Sequence, residues 1–452
     1  MGPTLALILL AAANLLIICY GLRHSSGALQ YPVLISTASL GYIVPEALGV
    51  VLNPGLAPVA GLTKSLMMFF LSSVAAYVGW TWHRPKVVRL AHGWSPKIQT
   101  LRTMGLFFVA IGSVGFWRLA SLTGGIMGFY SVNGAYSISW TGMTIVYNFF
   151  AEYLLPGYIL AVIVFLRKRS WICLAAAVPL GLIQLAYVVF LGRRTVLIGF
   201  LLINGCILYF HYRRLPPRLF MLATVPVLGL AVILAPVYRA HSQIGGDSEM
   251  IKQIDVAKAA TDLAGGVDST VVKSAYTVEI CESLGLFRYG LGFYNQFILY
   301  YVPKLLVGEE AKQALMANVG DAALAGNEYG WVGTYSTAPG GPTNAFEEFW
   351  YFGALVFAGL SYILRRLWDR AVLEKSAWAQ FQYTTLIVGS ILTFTNDLYK
   401  LNTEVFQIIL PAYIVVWLIE SKRRNNNLFG RRATGPPATS LRGCSQGAMR
   451  SW

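Results

Sequence analysis

Long apolar segments separated by short polar ones run along most of the chain. A helix needs about 17–25 apolar residues to cross a hydrocarbon core, and about eleven segments come close to this length. The predicted spans are residues 3–20, 31–52, 58–82, 104–122, 143–166, 171–191, 196–212, 219–237, 346–367, 377–395 and 404–419. The pattern therefore predicts an all-α polytopic membrane protein with about 11 transmembrane helices.

Basic residues recur after every second predicted span. They follow the first, third, fifth, seventh, ninth and last spans, and include Arg23, Arg84, Arg89, 167–169, 213–214, 365–366 and 422–424. Because Lys and Arg favour cytoplasmic loops, these loops are predicted to be cytoplasmic. The N-terminus is then predicted outside and the C-terminus inside.

The spacing of the spans divides the chain into four parts. Residues 1–237 carry helices 1–8, and residues 346–420 carry helices 9–11. Between them, residues 238–345 form a large external loop, which is far longer than the usual connector of about 4–6 residues and is therefore predicted to be functional. This loop is expected to hold a helix at 251–263 and a re-entrant or interfacial helix at 284–306. Residues 421–452 are predicted to be a disordered cytoplasmic tail.

Composition narrows the classes of partner. The chain has 452 residues, of which 56% are hydrophobic and only 12% charged, whereas about 25% are charged in soluble domains. The formal net charge is +15, but the cations sit in short clusters between apolar runs, so the predicted partner is the lipid bilayer and not nucleic acid. No Cys or His spacing is typical of a metal site or a disulfide framework, and no metal or cofactor is predicted.

The adjacent residues Arg193 and Arg194 break the charge pattern. They lie on the predicted outer side, where topology gives no reason for cations, and a charge at membrane depth costs about 2.5–3.5 kcal/mol on insertion scales. One interpretation is that both side chains snorkel to lipid phosphates. The other is that two guanidiniums with no local acid bind an anionic ligand.

Further ionisable residues fall in the outer half of predicted spans or in outer loops. For Glu46 and Lys64 we expect structural ion pairs inside the bundle. The others are predicted to line a polar cavity that opens outward. They are Arg118, Glu152, Arg193, Arg194, Arg239, His241, Glu347, Glu348, Asp397 and Lys400.

Such a cavity suits a diphosphate ligand and the activation of a hydroxyl. Arginine forks match phosphate oxygens and keep their charge at any relevant pH. A general base must then remove the proton of the hydroxyl. The candidates are Glu347, Glu348, His241, Glu152 and Asp397. Outer aromatic residues, including Tyr301, suit the apolar faces of sugar rings.

Three segments resemble motifs of the Wzy-type polymerases of O-antigen, capsule and exopolysaccharide repeat units, a group related to the O-antigen ligases. Residues 192–199 (GRRTVLIG) resemble the Gly-x-Arg-Thr/Gly start of a helix at the periplasmic face. Residues 301–304 (YVPK) resemble a Pro-Arg/Lys segment of the large loop. Residues 342–353 (PTNAFEEFWYFG) resemble the Glu-containing segment that leads into the next helix, with Tyr351 in place of the usual Asn and Glu348 as an extra acid.

The resemblance implies a GT-C-like polymerase/ligase bundle in the bacterial inner membrane. Such an enzyme transfers a glycan from undecaprenyl diphosphate to an incoming lipid-linked repeat unit on the periplasmic face, without a metal, and works with a flippase and a chain-length regulator. Carried over by motif, Glu347 is the family's acid, while Arg193, Arg194 and Lys304 engage phosphates. Arg239 and Arg288 are added to the candidate phosphate-binding residues because of their position in the large loop.

Two alternatives remain open. An O-antigen ligase uses the same donor, and its loop arginine and histidine have counterparts in Arg239 and His241. A transporter or flippase of lipid-linked sugars is the other alternative, although its charges are expected near the middle of the membrane and in repeated halves.

Overall fold

The computed structural model describes residues 1–23, 26–82, 95–126, 128–129, 143–191, 194–213, 269–302, 304–320 and 338–433. Every regular element in these ranges is a helix. Seven helices are long and apolar enough to cross a membrane: Pro3–Leu22, Tyr31–Leu52, Val59–Trp82, Ile98–Leu122, Met143–Lys168, Trp171–Val188 and Lys400–Lys422. The predicted class of α-helical polytopic membrane protein is confirmed. The count of 11 spans stays a prediction, and the segments 219–237 and 251–263 lie outside the described residues.

The helices are numbered here in chain order. The first part of the chain forms α1 (Pro3–Leu22), α2 (Tyr31–Leu52), α3 (Val59–Trp82), α4 (Ile98–Leu122), α5 (Met143–Lys168), α6 (Trp171–Leu191) and α7 (Arg194–Tyr212). The second part forms α8 (Thr270–Leu284), α9 (Leu291–Tyr301), α10 (Lys304–Val307), α11 (Glu309–Leu315), α12 (Gly341–Phe349), α13 (Ala354–Val372), α14 (Ala377–Thr395) and α15, which starts at Lys400 and ends at Ala433.

Three of the long helices are interrupted. A π-helical stretch at Ser39–Ile43 lies inside α2. Helix α5 is broken between Ala151 and Leu154, and α15 contains a π-helical stretch at Glu404–Ile409. Such interruptions inside membrane helices often occur at functional sites.

Small residues set the spacing of the helices. Cβ atoms added at Gly105, Gly112 and Gly115 of α4 would lie within 3 Å of atoms of α5. The two helices therefore pack with their backbones close together. Small residues at such interfaces permit close van der Waals contact, which drives helix association in membranes.

Cations of alternate predicted loops gather at one end of the bundle. Arg167 donates to Gln380 at 2.9 Å, and Arg213 donates to the Ala371 carbonyl at 3.1 Å. Arg365 pairs with Asp369 at 3.0 Å and lies over the Trp80 ring. This end, defined by Arg167, Arg213, Arg365 and Arg370, is called the basic end below. The opposite end is called the acidic end and is defined by Glu46, Glu152, Glu347, Glu348 and Glu404.

Helix α8 lies within the predicted external loop, yet it packs on the bundle. A Cβ added at Gly61 of α3 would collide with the Ala275 carbonyl, so α8 lies directly on the backbone of α3. Most of its residues are buried. Lys64 forms an ion pair with Glu282 of α8, but the two side chains are 31% and 37% exposed, so the pair does not lie inside the bundle as expected. This part of the loop is therefore a packed helix of the acidic end.

Glu46 caps the start of α8, and its expected ion pair stays a prediction. Its buried carboxylate accepts a hydrogen bond from the Val271 N–H at 3.3 Å, in the first turn of α8. The Ser269 hydroxyl accepts from the Val272 N–H in the same turn. Since the first N–H groups of a helix lack partners within it, a carboxylate of α2 stabilises the start of α8.

Candidate functional site

The segment that carries Glu347 and Glu348 is a short buried helix followed by a sharp turn. Helix α12 ends where Trp350 adopts a positive φ of 53°, and a 3-10 turn at Trp350–Gly353 leads into α13. The helix predicted to start at residue 346 therefore starts at Ala354. The turn is tight because the backbone of Gly353 lies against the Ala345 carbonyl, where no side chain fits.

Glu347 is brought together with Arg288, as the hypothesis of an outer site requires. The Arg288 Nη2 atom lies 3.5 Å from Glu347 Oε1. The Arg288 backbone N–H also donates to the Glu347 carbonyl at 2.8 Å. Asn344 donates to Glu347 Oε2 at 2.9 Å. A guanidinium and an amide thus stabilise a carboxylate that is only 4% exposed.

Glu348 has a separate set of donors. Its Oε2 atom accepts from the backbone N–H groups of Gly290 at 2.8 Å and Gly292 at 3.3 Å. The Tyr399 hydroxyl donates to Oε1. Burial, with the charge of Glu348 added to it, raises the pKa of Tyr399. Asn344, Glu347, Glu348, Arg288 and Tyr399 are called the α12 cluster below.

A second group of polar side chains lies where α5 and α15 are interrupted. Glu152 occupies the break in α5 and accepts hydrogen bonds from Asn148 and Gln407. Glu404 starts the π-helical stretch of α15, and its charge interacts with those of Glu152 and Lys400. The side chain of Glu152 is exposed and that of Glu404 is partly buried. Glu152, Glu404, Lys400, Gln407 and Tyr301 are called the α5–α15 cluster below.

Tyr301 connects this cluster to α9. Its hydroxyl donates to the Asn402 carbonyl at 3.2 Å, and its ring contacts Phe406 with 5.7 Å between centroids. Burial raises the pKa of Tyr301 to about 12, and the charges of Glu152 and Glu404 add to the effect. The predicted residues Glu152 and Tyr301 therefore share one site. Glu404 was not predicted; its position as the first residue of the last predicted span is the signal that points to it.

Four of the remaining predicted residues have side chains that lie outside the described part of the chain. Arg193, Arg239 and His241 lie outside the described residues. Arg194 is the first residue of α7, and its side chain also lies outside the described part. Tyr158 of α5 donates to Asn204 of α7, and these two helices end near each other at Arg167 and Arg213. Helix α7 therefore runs parallel to α5, and Arg194 begins it at the acidic end.

Two predicted residues, Arg118 and Lys304, lie apart from both clusters, and a third, Asp397, lies at the edge of the α12 cluster. Arg118 lies on an exposed face of α4 with Val114 and Trp117. Lys304 is exposed and pairs with Glu309 at 3.2 Å, which lowers the pKa of Glu309. Asp397 accepts from the Tyr399 N–H at 3.0 Å, and burial raises its pKa. Only Asp397 borders the α12 cluster.

Similarity to known proteins gives no independent assignment. No protein-family model matches the chain, and no curated protein and no solved structure matches it. Within the described residues, no three His, Cys, Asp or Glu side chains are placed to hold a metal ion. The two clusters themselves therefore carry the functional argument.

Proposed function

We propose that the chain is an inner-membrane glycosyltransferase that polymerises undecaprenyl-diphosphate-linked oligosaccharide repeat units. The acidic end would face the periplasm and the basic end the cytoplasm, in line with the preference of Lys and Arg for the cytoplasmic side. The observation that carries the proposal is the contact between Arg288 and Glu347. It joins a loop arginine to the acid of the segment that resembles the polymerase motif, at the end of the bundle where α7 begins with Arg194.

In this proposal Glu347 is the general base. It takes the proton of the acceptor sugar hydroxyl while the hydroxyl oxygen forms a bond to the anomeric carbon of the donor. The bond from that carbon to the diphosphate breaks, and the electron pair leaves with undecaprenyl diphosphate. Arginines stabilise the negative charge of this leaving group, as guanidiniums do for phosphates elsewhere. Arg193, Arg194 and Arg288 are the proposed arginines.

The contacts narrow the set of candidate bases. Glu348 accepts three hydrogen bonds through its two oxygens and is fully buried. Glu347 has a longer contact with Arg288, 3.5 Å, compared with about 2.7–2.9 Å for a tight charge-assisted bond. Glu347 is also the residue that falls on the acid of the polymerase-like segment and lies beside a guanidinium. Glu347 is therefore the better base of the two.

The proposal is tested by the surface glycan of a deletion strain complemented with variants. Wild type is expected to restore a ladder of polymer lengths, whereas Glu347→Gln and Arg194→Ala are expected to give single repeats and to accumulate in the membrane normally. General base catalysis contributes about 10²–10⁴-fold, so loss of Glu347 should remove visible polymer. Glu310→Gln changes an exposed acid of α11 and serves as the control. Full ladders from both variants would contradict the proposal, and loss of all capped core would indicate a ligase.

One observation favours a second candidate function, the transport of lipid-linked sugars. Interrupted helices are typical of transporters, which bind substrate where a helix is broken near the middle of the membrane. Glu152 and Glu404 lie at the interruptions of α5 and α15. If the protein is a transporter, its deletion is expected to leave polymerisation in vitro unchanged. The deletion would change only the side of the membrane on which lipid-linked repeats accumulate. Protection of these repeats from an external glycosidase in the deletion strain would support this second function.

A further inference from the structure

One buried carboxylate joins three segments that are far apart in the chain. Glu348 belongs to α12, its two backbone donors belong to the turn that starts α9, and its hydroxyl donor Tyr399 precedes α15. Glu348 is 0% exposed. A buried charge depends strongly on its donors, and the loss of a partner leaves desolvation uncompensated. The three segments are therefore held together at one point.

The start of α9 is shaped around this carboxylate. Gly290 has a positive φ of 89°, which a residue with a side chain rarely adopts. A Cβ added at Gly292 would collide with the Glu348 carboxylate and with the Tyr399 hydroxyl. Both glycines thus expose their N–H groups to Glu348 at close range. The first turn of α9 fits this carboxylate and leaves no space for another side chain.

The two ends of α9 reach the two clusters. Arg288 lies two residues before Gly290 and contacts Glu347 in the α12 cluster. Tyr301 is the last residue of α9 and belongs to the α5–α15 cluster. An 11-residue helix spans about 16 Å at 1.5 Å per residue. A shift at its first turn is therefore transmitted to both clusters.

We propose that Glu348 is a positioning residue that fixes α9, and through it Arg288 and Tyr301, relative to Glu347. The inference rests on the proposed function for the role of these side chains in glycan transfer. The positioning itself is a statement about α9 and is measurable without any assay of polymer. Glu348 itself takes no proton from a substrate.

The direct test is amide hydrogen exchange of the purified full chain in nanodiscs. Glu348→Gln keeps the size of the side chain but removes its charge and part of its capacity to accept. Exchange in Gly290–Phe293 is expected to rise on the order of tenfold or more, because hydrogen bonds to charged groups are among the stronger ones. Glu46→Gln is the matched control, since it removes the carboxylate at the start of α8. It is expected to raise exchange near Val271 and to leave α9 unchanged.

A kinetic readout separates positioning from catalysis. With lipid-linked repeat units extracted from the deletion strain as the donor, Glu348→Gln is expected to raise KM more than it lowers kcat. Glu347→Gln is expected to lower kcat. Tyr399→Phe removes one donor to Glu348 and should show a weaker form of the Glu348→Gln pattern, which keeps the test valid if Glu348→Gln does not fold.

The outcomes separate the two proposals. Unchanged exchange in α9 for both Glu348→Gln and Tyr399→Phe would overturn the positioning role and leave the glycosyltransferase proposal in place. Raised exchange in α9 of Glu348→Gln, together with a wild-type protein that makes no polymer, would support positioning while the proposed function fails. A fall in kcat at constant KM, equal to that of Glu347→Gln, would overturn the inference by making Glu348 catalytic.

Discussion

The α12 cluster and the α5–α15 cluster both bring carboxylates to the acidic end, but they differ in how these carboxylates are held. In the α12 cluster both acids are buried, and groups of other segments reach both Glu347, through Arg288, and Glu348, through Gly290. In the α5–α15 cluster, Glu152 is exposed and faces the charge of a second acid, Glu404. The first arrangement fixes the relative positions of chain segments. The second places two interacting carboxylates and Lys400 at the interruptions of α5 and α15.

The largest effect is expected from a substitution at Gly292, which tests whether the α12 cluster is tightly packed. Gly292→Ala is expected to lower the free energy of unfolding by about 1–3 kcal/mol, since overpacking of a filled site costs this much. The added Cβ collides with Glu348 and Tyr399. Thermal unfolding in detergent measures the effect.

Gly359→Ala is the control for this substitution. Gly359 lies in α13, and an added Cβ meets nothing within 4 Å. Replacing a helical glycine by alanine there is expected to be neutral or to stabilise by up to about 1 kcal/mol. Equal destabilisation by both variants would mean that the α12 cluster is no more tightly packed than the surface of α13.

An effect of similar size to that of Gly292→Ala is expected for one acid and a small effect for the other. Glu348→Gln should lower the free energy of unfolding by about 1–3 kcal/mol, because donors of a buried charge lose their partner. Glu404→Gln should change it by less, because the neutral side chain avoids the cost of burying a charge and the repulsion from Glu152, which offsets the lost attraction to Lys400. Thermal unfolding of both variants in the same detergent gives the comparison. A larger loss for Glu404→Gln would show that the α5–α15 cluster is the more rigid one.

The smallest expected effect is pH-dependent and concerns Asp397, at the edge of the α12 cluster. Burial raises its pKa in the folded chain above the ordinary value of 3.8. The folded state then binds the proton more tightly than the unfolded state. The contribution of Asp397 to stability is therefore present at low pH and is lost as the pH rises through the raised pKa.

Asp397→Asn keeps a side-chain oxygen that accepts from the Tyr399 N–H but has no charge to bury. It is expected to be more stable than wild type at pH 7 by less than about 1 kcal/mol. The difference should shrink as the pH falls toward 3.8. Melting temperatures of both proteins across this range test the prediction, and a difference that grows with acidification would contradict it.

Much of the helical framework could be predicted from apolar length alone. The predicted start and end of 31–52 match α2, and 377–395 match α14. Helix α8 was not predicted, because Lys273, Glu279 and Glu282 make its segment only weakly apolar. It is buried by close packing on α3, which hydropathy does not measure. Ser269 before the helix and Gly285 after it are typical of a helix start and a helix end, and they were the sequence signal for α8.

The site was predictable by residue type but not by pairing. Arg288 and Glu347 were both predicted as candidates, yet their contact depends on where α9 lies. The motif separated Glu347 from the extra acid Glu348, but only the structure gives their different partners. The role of Glu46 at the start of α8 depends on a helix more than 200 residues away, which no local pattern reveals.

The docking of α8 on α3 has a consequence for how the protein is made. Lys64 and Glu282 are separated by 218 residues, so a ribosome adding roughly 5–20 residues per second needs about 10–45 s to deliver the partner of Lys64. During this time α3 carries an uncompensated charge and an uncovered glycine face. The insertion machinery is therefore expected to retain the first helices near a polar environment until α8 emerges, and mutants that delay α8 should be targets of membrane proteases.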